Sequence, residues 1–322
     1  MRSAPTLSIP QGDTTDNLLS YVRHLRAANV SPRTIQTYRE AVDQLSAFLS
    51  AKGMPTDVAK IKREHVEAFI DDVLHRQHAD GTPFKASTAH NRYRGCKAFF
   101  GWLVEEGEIK TSPMDRMKPP RLPEQPVPVL REAELRSFLK TVDAGRTFDE
   151  RRDAAILRMF LSTGARLAEV AGLRYTPDKD ETNDLDLDNG IVRVLGKGGR
   201  ERIADLNAKA VKAIDRYLRA RSKHPQAISP WLWLGRKGRF SESGIGQMVA
   251  DRGRQAGLTG RVHPHQLRHT VVHRALAGGL QESSAMRLFG WRSRDMLARY
   301  AASTGTERAL AEMRRLRVSD DL

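Results

Sequence analysis

An arginine and a glutamate spaced three residues apart form the first group that could do chemistry. Thr163-Gly164-Ala165-Arg166 contains a glycine turn, and Glu169 follows. The turn places Arg166 near a helix start, so that Glu169 lies one turn later and can orient it. The guanidinium group is a rigid fork of donors that matches phosphate oxygens. The pair predicts a phosphate-binding arginine; the alternative is an ordinary surface ion pair.

A lysine between glycines forms the second group. Gly196-Lys197-Gly198-Gly199 has the composition of a hairpin turn. Lys197 at a flexible tip can reach into a groove and donate a proton. The alternative is a solvated turn lysine, because lysine is mostly exposed in folded proteins.

A histidine-rich stretch, residues 263–270, forms the third group. Pro264 can open a helix, on which His265 and Arg268 then share one face. The histidine spacing also raises the alternative of a metal site, but no second cluster of carboxylates or cysteines supports one. A phosphate cradle fits better, since both side chains donate to anionic oxygens, and His263 and His269 then serve as caps or packing groups.

The fourth group is Leu288-Phe289-Gly290-Trp291, followed nine residues later by Tyr300. Taken alone, a tyrosine near a C-terminus is structural and a tryptophan belongs to a core.

In this order, the four groups resemble the motif of the tyrosine recombinase, or phage integrase, family. That motif is an arginine, a lysine in a hairpin turn, His-x-x-Arg, a histidine or tryptophan, and a nucleophilic tyrosine nine residues on. The matching positions are Arg166, Lys197, His265, Arg268, Trp291 and Tyr300. The resemblance continues in the Ser-Pro-x-Thr-x-x-x-Tyr sequence at 31–38 and covers about residues 14–305.

The resemblance implies a DNA strand-transferring enzyme that cleaves and rejoins duplex DNA by transesterification. Tyr300 would attack a backbone phosphate and become linked to the DNA 3′-phosphate, while a 5′-hydroxyl leaves. Neither a metal nor another cofactor is implied, because the protein's own cations stabilise the charge on the phosphoryl oxygens.

The remaining roles follow from the same resemblance. Arg166 and Arg268 would neutralise the phosphate, with Glu169 in support. His265 would be the base and Lys197 the acid. Many family members have histidine in place of Trp291; tryptophan donates an N–H but takes no proton, so this position has no acid–base role here.

The elements that must position these residues divide into two predicted domains. Residues 14–106 have a helical pattern, and six prolines between Pro113 and Pro128 indicate a linker. The predicted ranges are a flexible arm at 1–13, a helical core-binding domain of SAM-like type at 14–112, a linker at 113–129 and a catalytic domain at 130–322. The predicted fold class is mainly α with a small antiparallel β-sheet, the catalytic domain being mixed α/β.

The catalytic domain is expected to contain a three-stranded antiparallel sheet between Leu185 and Leu206, with helices elsewhere. A last amphipathic helix follows Tyr300, with Ala309, Leu310, Met313 and Leu316 on one face. The resemblance implies that this tail docks on a neighbouring subunit; the alternative is packing on its own domain.

Composition agrees with a nucleic-acid partner. The 322 residues carry a formal net charge of +15, with a pI near 10.2. The single cysteine, Cys96, excludes an internal disulfide and lies in an apolar stretch typical of a core. No signal peptide or membrane span is visible, so we expect a cytoplasmic protein, bacterial or phage-encoded in a bacterial host.

We therefore expect a homotetramer acting on synapsed double-stranded DNA at attachment or core sites, with an accessory directionality factor. The expected role is integration and excision of a phage or mobile element. Three alternatives stay open: Xer-type resolution of chromosome or plasmid dimers, a relaxing topoisomerase or telomere resolvase with the same chemistry, and a DNA-binding regulator on the same fold.

Overall fold

The computed structural model describes residues 13–123, 128–196 and 199–291, together with residues 309, 310 and 313. The chain divides into two compact units, residues 1–124 and 125–322. Secondary structure is mainly helical with small antiparallel sheets, which confirms the predicted class. Over the described ranges, no helix combines the length and the apolar character that a membrane span needs.

The first unit is helical. Its elements are α1 Thr14–Ala27, α2 Pro32–Ala51, α3 Arg63–His75 and α4 Ala86–Glu105. Helix α2 begins where the sequence predicts it, because the Ser31 hydroxyl accepts a hydrogen bond from the Thr34 amide at 3.3 Å and Pro32 occupies the first helical position.

Helices α2 and α4 approach closely in the core of this unit. Gly95 permits the approach, because a Cβ atom there would lie 2.5 Å from the Cβ of Ala41. Cys96 follows and is fully buried, as expected. Burial raises the pKa of its thiol to about 12, so Cys96 behaves as an inert core residue.

The second unit contains the remaining helices around its own core. They are α5 Glu132–Asp143, α6 Phe148–Thr163, α7 Leu167–Ala171, α8 Ala208–Arg221, α9 Glu242–Gln255, α10 Pro264–Ala277 and α11 Glu282–Phe289. Helix α6 starts at a capping box, in which Thr147 and Glu150 exchange side-chain and backbone hydrogen bonds.

The predicted antiparallel sheet is present in this unit. Strands β1 Leu185–Asp186, β2 Ile191–Gly196 and β3 Arg200–Asp205 pair in the order β1-β2-β3. Val192 lies opposite Ala204, and Val194 lies opposite Arg202. Because side chains alternate along a strand, Val192, Val194 and Ala204 are buried on one face of the sheet.

A second hairpin was not predicted from the sequence, which indicated helices over this region. Strands β4 Leu234–Gly235 and β5 Gly238–Arg239 pair antiparallel. Gly238 has a φ of +117°, which favours glycine and permits the tight turn. Two-residue strands are too short to produce an alternating pattern, so periodicity could not reveal them.

Candidate active site

The turn between α6 and α7 places Arg166. Helix α6 ends at Thr163, and Gly164 follows in the left-handed region with φ 57° and ψ 23°. A Cβ atom at Gly164 would lie 2.8 Å from Cε1 of Phe289, so both the conformation and the space require glycine. The turn brings Arg166 to the N-cap of α7.

Glu169 connects two arginines at this helix start. Its Oε2 accepts hydrogen bonds from the Arg166 amide at 2.8 Å and from Nη2 of Arg202 at 2.7 Å, while its Oε1 accepts from Nη1 of Arg166 at 2.8 Å. Burial alone would raise the pKa of the Glu169 carboxyl. The hydrogen bond from Arg166 and the charges of Arg202 and Arg166 outweigh burial and hold this pKa below its ordinary value. Glu169 is therefore ionised and buried, and it holds the Arg166 guanidinium in place. The side chain of Arg166 remains 37% exposed.

Arg268 joins two helix ends. Its guanidinium donates to the carbonyl oxygen of Gly164 and to that of Phe289, both at 2.7 Å. The residue is only 2% exposed, and its charge lies at the C-terminal ends of α6 and α11, where the helix dipoles favour a cation. Arg268 thus fixes the Gly164 turn against the end of α11.

The Phe289-Gly290-Trp291 segment contacts the cluster formed by Arg166, Glu169 and Arg268. The carbonyl oxygen of Gly290 accepts a hydrogen bond from Nη2 of Arg166 at 3.4 Å. The buried ring of Trp291 lies 5.5 Å from that of Phe289 and 5.8 Å from the Arg268 guanidinium. Arg166, Glu169, Arg268 and Trp291 are therefore brought together, from three separate parts of the chain.

His265 lies on the exposed side of α10, one turn before Arg268. Partial burial lowers the pKa of its imidazole below the ordinary value, and the positive charges of Arg268, His263 and Arg166 lower it further. Its ring contacts that of His269 edge to face, with centroids 4.3 Å apart, and burial lowers the pKa of His269 to about 4. His265 is thus neutral at pH 7 and has a lone pair available.

His263 is the N-cap of α10: its Nδ1 accepts a hydrogen bond from the Gln266 amide at 3.1 Å. In the part of the chain that the structure describes, no three histidine, cysteine or acidic side chains are grouped as metal ligands.

Two predicted site residues, Lys197 and Tyr300, lie outside the described residues. The residue before Lys197 shows where the hairpin turn begins. Gly196 ends β2 beside the arginine cluster, since a Cβ atom there would lie 3.7 Å from Oε1 of Glu169.

Arg202 is a site residue that sequence reasoning missed. Besides its bond to Glu169, its Nε and Nη1 are buried without a hydrogen-bond partner among the described residues. Its Nε lies 3.4 Å from where a Gly290 Cβ would be. The signal was available, because Arg202 and the buried Ala204 share one face of β3, and a cation on an inward face indicates a buried partner.

Comparisons with known proteins agree on one family. A model described as phage integrase family matches residues 128–307, and one described as phage integrase, N-terminal SAM-like domain matches residues 18–108. Tyrosine recombinase XerC of Xanthomonas campestris is 29% identical over 292 residues, which cover 89% of this chain and 85% of that protein. XerC of Pelobacter propionicus is 27% identical over 274 residues, covering 84% and 85%.

Solved structures show the same fold. XerH recombinase bound to a palindromic difH substrate aligns with a TM-score of 0.72 at 17% identity, covering 93% of this chain and 84% of that chain. A lambda integrase dimer bound to a core site aligns with a TM-score of 0.67 at 14% identity, covering 90% and 96%.

Proposed function

The chain belongs to the phage integrase family, and from this premise we propose that it recombines specific DNA sites with Tyr300 as its nucleophile. Members of this family cleave and rejoin DNA through a phosphotyrosine intermediate. The observation that carries the proposal is the meeting of Arg166, Glu169, Arg268 and Trp291 around the Gly164 turn and the end of α11.

In the proposed reaction, the Tyr300 oxygen attacks a backbone phosphorus and the bond to the 5′-oxygen breaks. The tyrosine gives up its proton, the 5′-oxygen gains one, and the phosphate stays joined to the enzyme. A second 5′-hydroxyl then attacks the phosphotyrosine and reverses these bond changes. One phosphodiester is exchanged for another, so no nucleotide or other co-reactant is consumed.

The charge on the phosphoryl oxygens is the main electrostatic problem of this step. Arg166 fits the task because its guanidinium is held by Glu169 and remains partly exposed. A donor fixed before the reaction stabilises the developing charge without reorganising, and removing one such group typically costs about 2.7–4 kcal/mol of barrier. Arg268 and Trp291 are almost fully buried and would add a second cation and an N–H donor beside Arg166.

Proton transfer is assigned to His265 and Lys197. The unperturbed pKa of tyrosine is about 10, so a base or a positive field must assist its ionisation at neutral pH. The lowered pKa of His265 leaves it in the neutral form that can accept this proton. Lys197, which follows Gly196 beside Glu169, is the proposed donor to the leaving 5′-oxygen.

Covalent trapping tests the nucleophile. The full chain is incubated with a nicked suicide duplex carrying its presumed core site, and adducts are separated on a denaturing gel. We expect an adduct with the wild type, none with Tyr300→Phe, and undiminished adduct with the matched control Tyr175→Phe. An adduct that persists in Tyr300→Phe would contradict the assignment. Specific DNA binding by a wild type that forms no adduct would favour a regulatory DNA-binding role.

The proposed domain roles follow the predicted ranges. Residues 14–112 would bind the core site, 113–129 would be the linker and 130–322 the catalytic domain. The two family matches, at 18–108 and 128–307, support this assignment.

The proposed assembly is a homotetramer on duplex DNA, acting in the bacterial cytoplasm with an accessory directionality factor. A related lambda integrase has been solved as a tetramer bound to a Holliday junction. In this chain, Ala309, Leu310 and Met313 are helical and exposed. A cavity of about 600 Å³ with Leu280, Leu288 and Phe289 in its lining offers an apolar acceptor for these residues of a second copy.

The proposed biological role is integration and excision of a phage or mobile element. The similarity to XerC proteins over most of their length favours a second candidate, resolution of chromosome or plasmid dimers. Deleting the gene in its host distinguishes the two. Accumulated chromosome dimers would support resolution, while normal segregation with a fixed, non-excising element would support integration and excision.

A further inference from the structure

A row of cations runs along α8, on the side opposite its buried face. Its members are Lys209, Lys212, Arg216, Arg219 and, just past the helix end, Lys223. At 100° per residue, the four on the helix fall within an arc of about 80°. The opposite side of α8 buries Ile214 and Tyr217 in the core of the second unit.

Helix α6 adds two cations beside this row. Two adjoining cavities, of about 360 and 460 Å³, share Arg151 and Arg216 in their linings. The first is also lined by Arg158, Lys209 and Lys212, and the second by Arg219 and Lys223. We call these seven cations of α6 and α8 the basic face.

Few acidic groups balance the basic face. Asp143 pairs with Arg158 at 2.7 Å, and Asp215 pairs with Arg219 at 2.9 Å. The other five cations form no ion pair with any residue that the structure describes. Like charges so close together repel each other, whereas a face that only needs solubility mixes both signs. The arrangement therefore fits a polyanionic partner.

Arg151, on this face, has a buried N–H donor, its Nε, that forms no hydrogen bond with a described residue. Arg216, which shares both cavities with Arg151, donates from Nη2 to the carbonyl oxygen of Gly145 at 3.3 Å. This hydrogen bond holds the Arg216 guanidinium at the boundary of the two cavities.

The basic face begins beside the part of α6 that leads to the active site. The Ser162 hydroxyl accepts a hydrogen bond from the Asn207 amide at 2.8 Å, which fixes the start of α8 to the end of α6. From Ser162 back to Arg151 the helix extends about 16 Å. The basic face therefore leads away from the Gly164 turn, and Arg151 lies too far from it to share the reacting phosphate.

We propose that the basic face binds the sugar–phosphate backbone of duplex DNA at a second position, outside the stretch held by the active site. Lys209 to Arg219 spans about 15 Å of helix axis, which matches about four base-pair steps along the axis of a duplex. Lysine and arginine contacts of this kind need no base sequence. The choice of DNA as the polyanion rests on the proposed function.

Salt dependence of binding tests the proposal in the full-length protein. The probe is a random-sequence duplex of about 40 base pairs, with affinity measured by fluorescence anisotropy between about 50 and 200 mM salt. The variant is Lys209→Gln with Lys212→Gln. Each lost phosphate contact lowers the slope of log affinity against log salt by about 0.9, so we expect a slope that is shallower by about 1.8.

The matched control is Lys140→Gln with Lys179→Gln. These lysines are also exposed, belong to the same unit and form no ion pair with a described residue, so the net-charge change is identical. An unchanged slope in the Lys209 and Lys212 variant, or an equal loss in both variants, would overturn the proposal. So would weaker binding to heparin with unchanged binding to DNA, because the partner would then be another polyanion.

Adduct formation on a short suicide duplex, ending at the core site, separates this proposal from the proposed function. The Lys209 and Lys212 variant is expected to form the adduct at the wild-type rate. If the wild type forms no adduct, the proposed function fails, whereas the second DNA site is tested independently by the salt slope and the heparin comparison.

Discussion

At the scale of single residues, Glu169 determines how the site is arranged. One buried carboxylate accepts hydrogen bonds from Arg166 and Arg202 and so keeps two like charges side by side. Removing one partner of such a buried network leaves an uncompensated charge, which commonly costs about 3–5 kcal/mol. The network therefore stabilises the fold and also fixes the orientation of the Arg166 guanidinium.

Arg202→Gln tests whether this residue positions the catalytic group. We expect the rate of adduct formation at saturating DNA to fall by up to about 100-fold, because a small displacement of Arg166 is enough for that loss. DNA affinity should change little. The cation also lowers the pKa of Glu169, so in the His265→Gln background its loss should raise the pH at which Glu169 becomes protonated and activity falls.

The control for that variant is Arg193→Gln, which removes a sheet arginine paired with Asp184 at 3.2 Å, away from Glu169. Arg202→Lys should recover part of the rate, since it restores the charge without the fork. Equal effects of the Arg202 and Arg193 variants on rate and on the pH profile would indicate a structural role only.

The pH dependence of cleavage should also report His265. Its folded-state pKa is lowered, so the neutral base is present at pH 7 and is lost only as the pH falls through that lowered value. We expect activity to hold at pH values just below the ordinary histidine pKa and to decline at lower pH. His265→Gln should remove this decline and lower the rate by about 10²–10⁴-fold, the usual contribution of a general base. A wild-type profile that falls above the ordinary histidine pKa would contradict this role.

Residue types, spacing and the family resemblance predicted four of the side chains that meet around the Gly164 turn, which are Arg166, Glu169, Arg268 and Trp291. The pairing of Arg166 with Glu169 and the start of α10 at Pro264 follow from helix geometry, which local sequence encodes. Arg202 shares the inward face of β3 with Ala204, but its partner Glu169 lies 33 residues away, so no local spacing connected the two. The catalytic roles of Lys197 and Tyr300 stay predictions from the family motif.

At the scale of elements, the α6–α7 turn determines the positions of the site residues. Gly164 adopts a left-handed conformation, and a Cβ atom at this position would collide with the ring of Phe289 at the end of α11. Any shift of this turn moves Arg166 and the carbonyl oxygen that Arg268 binds.

Gly164→Ala separates strain from packing when it is compared with Gly257→Ala. Both glycines have positive φ, but a Cβ atom at Gly257 would meet nothing within 4 Å. We expect Gly257→Ala to lower the free energy of unfolding by about 1–2 kcal/mol through backbone strain alone. Gly164→Ala should lose about 1–3 kcal/mol more, because Phe289 must move. Urea unfolding of the two variants measures the difference. Equal losses in the free energy of unfolding would show that Phe289 moves aside at no cost.

Long periodic elements were predictable from sequence, whereas short ones were not. Helix α2 and the β2–β3 hairpin carry caps, periodicity and turn glycines that act locally. The five-residue α7 and the β4–β5 hairpin are set by tertiary contacts, such as the hydrogen bond from Nε1 of Trp233 to the carbonyl oxygen of Val170 at 2.8 Å. Local pattern carries little information on such elements.

At the scale of the whole molecule, each of the two units has its own core. The proposed assembly adds contacts between copies, made by the tail helix and the cavity beside Leu288. Exposed apolar residues on both, Leu310 at 54% and Leu288 at 42%, would be covered in the tetramer.

Truncation after Ser303 tests this assembly. We expect DNA binding and the first cleavage to persist, while recombination falls by about 5–150-fold, the usual range of coupling between sites. Leu288→Asp should reproduce the loss on the acceptor side. Ile228→Asp, which changes a 96% exposed apolar residue elsewhere, should not. Full recombination by the truncated protein would favour a tail that packs on its own domain.

Two acceptors of Arg268 are main-chain carbonyls, and this affects how the sequence can diverge. Every amino acid supplies the same carbonyl oxygen, so replacing Phe289 by another residue leaves that acceptor in place. These two hydrogen bonds therefore do not depend on the side chain at position 289, as long as the backbone path is kept. Retargeting by directed evolution can accordingly randomise DNA-facing side chains widely, provided that it preserves Gly164 and the backbone path at the end of α11.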